Sequence, residues 1–76
     1  MQLNPSQGRV LKSALDVLGR GDPKRFDDEL WLGFGDDCQS IWDALIQGRY
    51  VESAGSIFQT RLTPRGVQLL RRLASL

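Results

Sequence analysis

Apolar residues at helical spacing mark the first part of the chain, and polar residues fill the positions between them. At about 100° per residue, one arc collects Val10, Leu11, Ala14, Leu15, Val17 and Leu18. Asn4-Pro5 precedes this arc; asparagine is a favoured N-cap, and proline is favoured at the first helical position. The pattern therefore predicts a first helix that begins at 4–5 and ends at the glycines Gly19 and Gly21.

The same start signal returns at Asp22-Pro23. Phe26 and Leu30 follow four residues apart with Trp31 beside them, which predicts a short second helix over 23–32. We expect Gly33-Phe34-Gly35 to break this helix, because glycine is a poor helix former.

A third helix is predicted from a cap at Asp36 or Asp37 to a C′ glycine at Gly48. Its apolar stripe has the i, i+3, i+4, i+7 spacing of an amphipathic helix. The stripe consists of Cys38, Ile41, Trp42 and Leu45, widened by Ala44 and Ile46.

Two β-prone runs, 49–53 and 56–62, flank Ala54-Gly55 and predict a hairpin. Thr63-Pro64 then caps a final helix. The apolar arc of that helix covers about half its circumference and includes Leu69 and Leu76, so we expect a homodimer through the C-terminal helix.

Composition narrows the function. The chain has 76 residues, 41% of them apolar, which predicts a single domain over 1–76. It contains no histidine and one cysteine, Cys38, so histidine-based catalysis, histidine-containing zinc sites and an internal disulfide are excluded. We expect no enzyme activity, no catalytic residues, no cofactor and no metal. Without a signal peptide or a long apolar run, a cytoplasmic protein with no membrane association is expected.

The net charge of +1 conceals an asymmetry along the chain. Residues 1–20 carry three basic residues against one acid, a net charge of +2. Residues 21–43 carry two against seven, a net charge of −5, and residues 44–76 carry five against one, a net charge of +4. This distribution predicts two surfaces of opposite sign, although such charges also serve simply to keep a small domain in solution.

Three segments of the chain carry a resemblance to a known protein family. They are Leu3-Asn-Pro-Ser-Gln-Gly-Arg-Val-Leu11, Leu45-Ile-Gln-Gly-Arg-Tyr-Val-Glu52 and Arg61-Leu-Thr-Pro-Arg-Gly-Val-Gln-Leu-Leu70. They resemble the start of the DNA-binding core, the passage from recognition helix to wing, and the strand-to-helix junction of MarR-like and PadR-like winged-helix transcriptional regulators. The resemblance implies an α+β winged helix with a three-helix core, a two-stranded β-hairpin wing and an additional C-terminal helix.

What this resemblance implies for function is a small bacterial or phage regulator that binds double-stranded DNA. The third helix would enter the major groove, and its polar face would contact bases. Phosphates would be contacted from the hairpin and its junction with the last helix. The third helix itself carries no Lys or Arg. The implied DNA-binding residues are Gln39, Ser40, Asp43, Gln47, Arg49, Arg61 and Arg65.

The alternative is a winged helix that binds a protein partner, as an adaptor or inhibitor, without binding DNA. Its contact surface would be the acidic middle of the chain with Trp31, Trp42 and Phe34, although aromatics at helical spacing are more often core residues. Cys38 falls in the apolar stripe and is expected to be a buried small hydrophobe. Arg71 and Arg72 are interpreted as cations near the C-terminal end of a helix.

Overall fold

The computed structural model describes residues 3–75, apart from the side chain at position 57. The chain forms α1 (Pro5–Gly19), α2 (Pro23–Phe34), a 3₁₀ turn (Gly35–Asp37), α3 (Cys38–Gln47), β1 (Val51–Ser53), a second 3₁₀ turn (Ile57–Gln59), β2 (Thr60–Leu62) and α4 (Pro64–Ala74). The predicted α+β class is confirmed, with helices and one antiparallel hairpin.

Helix α1 begins as its sequence predicts. The Asn4 side chain accepts a hydrogen bond from the Gln7 N–H at 2.8 Å, and the Gln7 side chain accepts one from the Asn4 N–H at 3.1 Å. This reciprocal capping box satisfies two N–H groups that the helix leaves without partners. The helix ends where Gly21, with φ +88°, takes the left-handed conformation that glycine adopts without strain.

The predicted end of α2 at residue 32 is wrong. The helix continues through Gly33 and Phe34 and ends only at Gly35, which has φ +56°. Gly33 faces α1 at close range, since a Cβ atom there would lie 2.1 Å from Cγ1 of Val10. This glycine therefore serves close helix packing and does not break the helix.

The hairpin is shorter than predicted. Val51 pairs with Leu62 and Ser53 with Thr60, so three residues on each side form the ladder. The run from 56 to 59, predicted as strand, instead turns back in a 3₁₀ turn, with the Gln59 N–H donating to the Ser56 carbonyl at 3.1 Å. The connection between the strands is thus a folded six-residue loop over 54–59.

Thr63 joins α4 to the preceding bend. Its hydroxyl accepts the Gly66 N–H at 3.1 Å as the N-cap of α4 and donates to the carbonyl of Arg49. Its own N–H donates to the Tyr50 carbonyl at 3.1 Å. These bonds fix the start of α4 against the end of α3.

The core lies among the four helices and the first strand. Each fully buried Leu or Phe side chain contributes about 1.5–3 kcal/mol relative to an exposed one. Leu69, Leu70 and Leu73 of α4 are half-buried against this core, and Leu76 lies outside the described residues, so the homodimer through α4 stays a prediction. The buried residues are Leu11, Ala14, Leu15, Leu18, Phe26, Leu30, Phe34, Cys38, Leu45 and Val51.

Candidate functional site

Helix α3 presents one polar face to solvent. Gln39, Ser40, Asp43 and Gln47 are all exposed, as their positions in the apolar and polar pattern predict. The Gln39 side-chain amide donates to Oδ1 of Asp43 at 3.0 Å, one helical turn away. The face is therefore available to a ligand, while its contact with DNA stays a prediction.

The N-terminal end of α3 is negatively charged. Asp36 and Asp37 lie exposed in the 3₁₀ turn before the helix. Asp37 occupies the N-cap position, but its side chain accepts no hydrogen bond from the helix, so the predicted side-chain cap does not form. Both carboxylates remain close to the positive end of the helix dipole.

At the C-terminal end of α3, Arg49 occupies the C′ position, where glycine is the usual residue. The Arg49 N–H donates to the Ile46 carbonyl at 3.0 Å, and the Tyr50 N–H donates to the Leu45 carbonyl at 2.9 Å. These are the two bonds of a Schellman motif, whose C′ residue adopts the left-handed conformation. Arg49 holds that conformation with φ +60°, so the prediction that Gly48 is the C′ residue is wrong.

The ring of Tyr50 explains why glycine occupies position 48, one residue before the left-handed C′ position. A Cβ atom on Gly48 would lie 2.4 Å from Cε2 of that ring, so position 48 needs glycine to admit it. The left-handed position then falls to Arg49, where a side chain costs about 1–2 kcal/mol. The same bend therefore positions Tyr50 and strains Arg49.

Arg65 is anchored against the same ring and the same glycine. Its Nε–H donates to the Gly48 carbonyl at 2.9 Å, and its guanidinium carbon lies 5.3 Å from the centroid of the Tyr50 ring. This geometry is a cation–π contact. A cleft of about 410 Å³ opens beside it, lined by Tyr50, Arg65, Gln68 and Arg72.

The predicted phosphate-contacting arginines do not all share one cleft. Arg65 lies with Arg72 in the cleft just described, whereas Arg49 lines a separate cleft that includes Glu52. Arg61 is exposed on β2, directly across the ladder from Glu52. By its position in the sequence, Arg72 is interpreted as a cation near the C-terminal end of a helix and is not counted among the expected DNA-binding residues. In the structure it lies in the same cleft as Arg65, on the face of α4 that the two residues share.

In the part of the chain that the structure describes, the four arginines just named have no acidic partner within ion-pair distance, unlike the basic residues at positions 20–25. Arg20 pairs with Asp16 at 3.0 Å, Lys24 with Asp28 at 3.3 Å and Arg25 with Glu29 at 3.7 Å. Arg9 and Lys12 of α1 form no such pair among the described residues. Within residues 3–75, no carboxylate lies in ion-pair distance of the arginine group, which we define as Arg49, Arg61, Arg65 and Arg72. The charge asymmetry of the sequence is thus not cancelled in the fold.

A second concave surface, the tryptophan groove, runs between α2, α3 and the hairpin loop. Its volume is about 570 Å³. Phe34 is buried and Trp42 is half-buried, as expected of core aromatics, whereas Trp31 is 53% exposed. The groove is lined by Asp27, Trp31, Gln39, Trp42, Asp43, Ile46, Ser53, Gly55 and Ser56.

Trp42 is held in this groove by two contacts. Its ring meets the buried ring of Phe26 edge to face, with centroids 5.2 Å apart. Its Nε1–H donates to Oδ1 of Asp27 at 3.1 Å. The indole therefore forms a fixed wall between the core and solvent.

Cys38, one helical turn before Trp42 in α3, is fully buried, which confirms the prediction that it is a buried small hydrophobe. Burial, and secondarily the negative charge of Asp27, raises the pKa of its thiol. The thiol is therefore protonated at neutral pH and is a poor nucleophile.

The described part of the chain lacks two further kinds of functional feature, a metal-binding cluster and a membrane-spanning helix. Within residues 3–75, no three His, Cys, Asp or Glu side chains are grouped to hold a metal ion, and no helix has the length and apolar character needed to cross a membrane. Comparison with protein-family models, curated proteins and solved structures finds no match to this chain. The functional assignment therefore rests on the residues and the geometry described above.

Proposed function

We propose that this chain is a winged-helix domain that binds double-stranded DNA, with α3 in the major groove and the β1–β2 hairpin beside the DNA backbone. The single observation that carries the proposal is the arginine group, which comes from the bend after α3, from β2 and from α4 and has no ion-paired acid within residues 3–75. Two helices joined by a tight turn, followed by a hairpin, support the fold assignment.

Phosphate contacts supply most of the affinity in this proposal. Each phosphate neutralised by an arginine releases condensed counterions, which makes the slope of log K against log salt more negative by about 0.9. The arginine group contains four cations, so the expected slope is about −3 to −4. Arg65 is the most ordered of them, because the Gly48 carbonyl and the Tyr50 ring hold its guanidinium group.

Base contacts come from the polar face of α3. Gln39 and Gln47 are suited to adenine, Asp43 can accept from the amino group of cytosine, and Ser40 can serve either base. Neither this face nor the turn before it carries a positive charge, and Asp36 and Asp43 repel phosphates. The arginine group must therefore overcome this repulsion, which makes binding strongly dependent on salt.

Fluorescence anisotropy with a labelled duplex of about 25 base pairs tests the proposal across a range of salt concentrations. The test variant is Arg49→Ala/Arg61→Ala, and the matched control is Arg20→Ala/Arg25→Ala, whose arginines pair with acids. We expect the test variant to reduce the magnitude of the salt slope by about 2 and the control to leave the slope unchanged.

Equal effects of the two double variants would assign binding to net charge and would contradict the proposed surface. Failure of the wild-type chain to bind at low salt would remove the DNA proposal, because even non-specific DNA-binding proteins associate under that condition. The protein-interaction module would then be the remaining function.

A further inference from the structure

We propose that the tryptophan groove binds a cationic segment of a partner protein, which places an arginine or lysine side chain between the exposed indole of Trp31 and the carboxylates of Asp27 and Asp43. The proposal does not rest on DNA binding, but the groove shares Gln39 and Asp43 with the polar face of α3, so a bound peptide and a bound duplex would compete for this surface. The proposal follows from the shape, the exposed apolar surface and the charge of the groove.

Two exposed apolar side chains line the groove together with the half-buried Trp42. Trp31 is 53% exposed and Ile46 is 41% exposed. Trp and Arg are the residues that most often dominate the energy of a protein interface. A long side chain with an aliphatic stem could cover these surfaces and keep its charged end at the carboxylates.

The charge of the groove selects a cation. Of the described residues that line it, none is Lys or Arg, and two are aspartates. Asp27 receives one hydrogen bond from Trp42, and Asp43 receives one from Gln39, so each carboxylate is oriented through Oδ1. Oδ2 of each carboxylate remains for a guanidinium or ammonium group, while the indole face offers a cation–π contact.

The same charges disfavour a phosphate group as the ligand of the groove, because it would face two carboxylates and no cation among the described lining residues. A single small cation would leave most of the apolar wall uncovered in a space of about 570 Å³. A peptide segment that combines a basic and an apolar side chain satisfies both parts of the surface. Charge complementarity and apolar area thus favour a protein partner.

Intrinsic fluorescence offers a direct assay, because both tryptophans of the chain line the groove. The probe is a short acetylated peptide of arginine, leucine and alanine, and its control carries citrulline, which is uncharged, in place of arginine. We expect the arginine peptide to change the fluorescence and to bind at least about tenfold more tightly than the citrulline peptide.

Charge variants locate the contact. Asp27→Asn/Asp43→Asn retains the oxygen atoms that accept from Trp42 and Gln39, and should weaken peptide binding by about tenfold. The matched control is Asp36→Asn/Asp37→Asn, which removes two charges outside the groove and should change binding by less than about threefold. Trp31→Ala, at an exposed position, should also weaken binding while circular dichroism shows an unchanged fold.

Three results of the peptide experiments would overturn the proposal. They are equal affinity for the arginine and citrulline peptides, equal effects of the two double variants, and no fluorescence change at millimolar peptide. A fluorescence change that depends on the protein's own concentration, without peptide, would assign the groove to a second copy of this chain and also overturn it.

Discussion

Replacement of Arg49 by glycine should make the protein more stable and a weaker DNA binder. Arg49 has φ +60° at the C′ position of α3, where glycine is the usual residue. The left-handed conformation costs a non-glycine residue about 1–2 kcal/mol. Glycine recovers this cost but loses about 0.5–1 kcal/mol through the greater entropy of the unfolded chain.

The expected net gain for Arg49→Gly is therefore about 0.5–1 kcal/mol in the free energy of unfolding. For a domain of this size, that corresponds to a rise in Tm of about 4 °C. Arg49→Ala retains the strained backbone, so its Tm should stay close to that of the wild type. Both variants remove one cation and should reduce the salt slope of DNA binding by about 0.9.

Thermal unfolding followed by circular dichroism and duplex anisotropy provide the two measurements. Arg49→Lys serves as the control that keeps both charge and strain, and it should match the wild type in both assays. A lower Tm for Arg49→Gly than for Arg49→Ala would refute the backbone argument. Wild-type affinity and salt slope in Arg49→Ala would refute the phosphate contact.

Three further predictions concern the packing and the buried thiol. Gly66→Ala should lower the free energy of unfolding by about 3 kcal/mol in urea titrations, because the new Cβ would lie 2.1 Å from the backbone carbonyl oxygen of Tyr50. A loss below about 0.5 kcal/mol would contradict this prediction. Gly33→Ala should also destabilise the protein, because the new Cβ would clash with the Val10 side chain. Val10→Ala in the same chain should restore part of the lost free energy of unfolding, and additive losses in the double variant would contradict the contact. Because burial and the nearby charge raise the pKa of the Cys38 thiol, the unfolded chain ionises first as pH rises. The stability advantage of the wild type over Cys38→Ala, present at neutral pH, should therefore shrink in alkaline solution, and a constant difference in urea titrations would contradict it.

Much of the fold was predictable because local signals agreed with the tertiary packing. Asn4 and Thr63 cap their helices as their sequences indicate, and the apolar arc of α1 is the face that the core buries. Gly33 misled the prediction because helix propensity describes an isolated helix, whereas here the close approach of α1 requires a residue without a side chain. Long-range contact overrode local preference at that position.

The candidate site was predictable only in part, for a similar reason. The exposed face of α3 follows from periodicity, and Gln39, Ser40, Asp43 and Gln47 lie on it as expected. The left-handed Arg49 depends on the Tyr50 ring over Gly48, and the tryptophan groove depends on the folded loop over 54–59 beside α2 and α3. The sequence predicts Trp31 and Trp42 with the acidic segment as an alternative contact surface, but the concave shape and the left-handed backbone come from side-chain contacts in the folded chain, which spacing along the chain does not report.

The most direct test of the central claim is a map of amide chemical-shift changes by NMR as the duplex is added to labelled protein at low salt. We predict that the changes concentrate in residues 39–49 and 61–72, which contain the polar face of α3 and the arginine group. Absence of any change, or changes confined to residues 16–29, where the basic side chains pair with acids, would contradict the proposed DNA-binding surface.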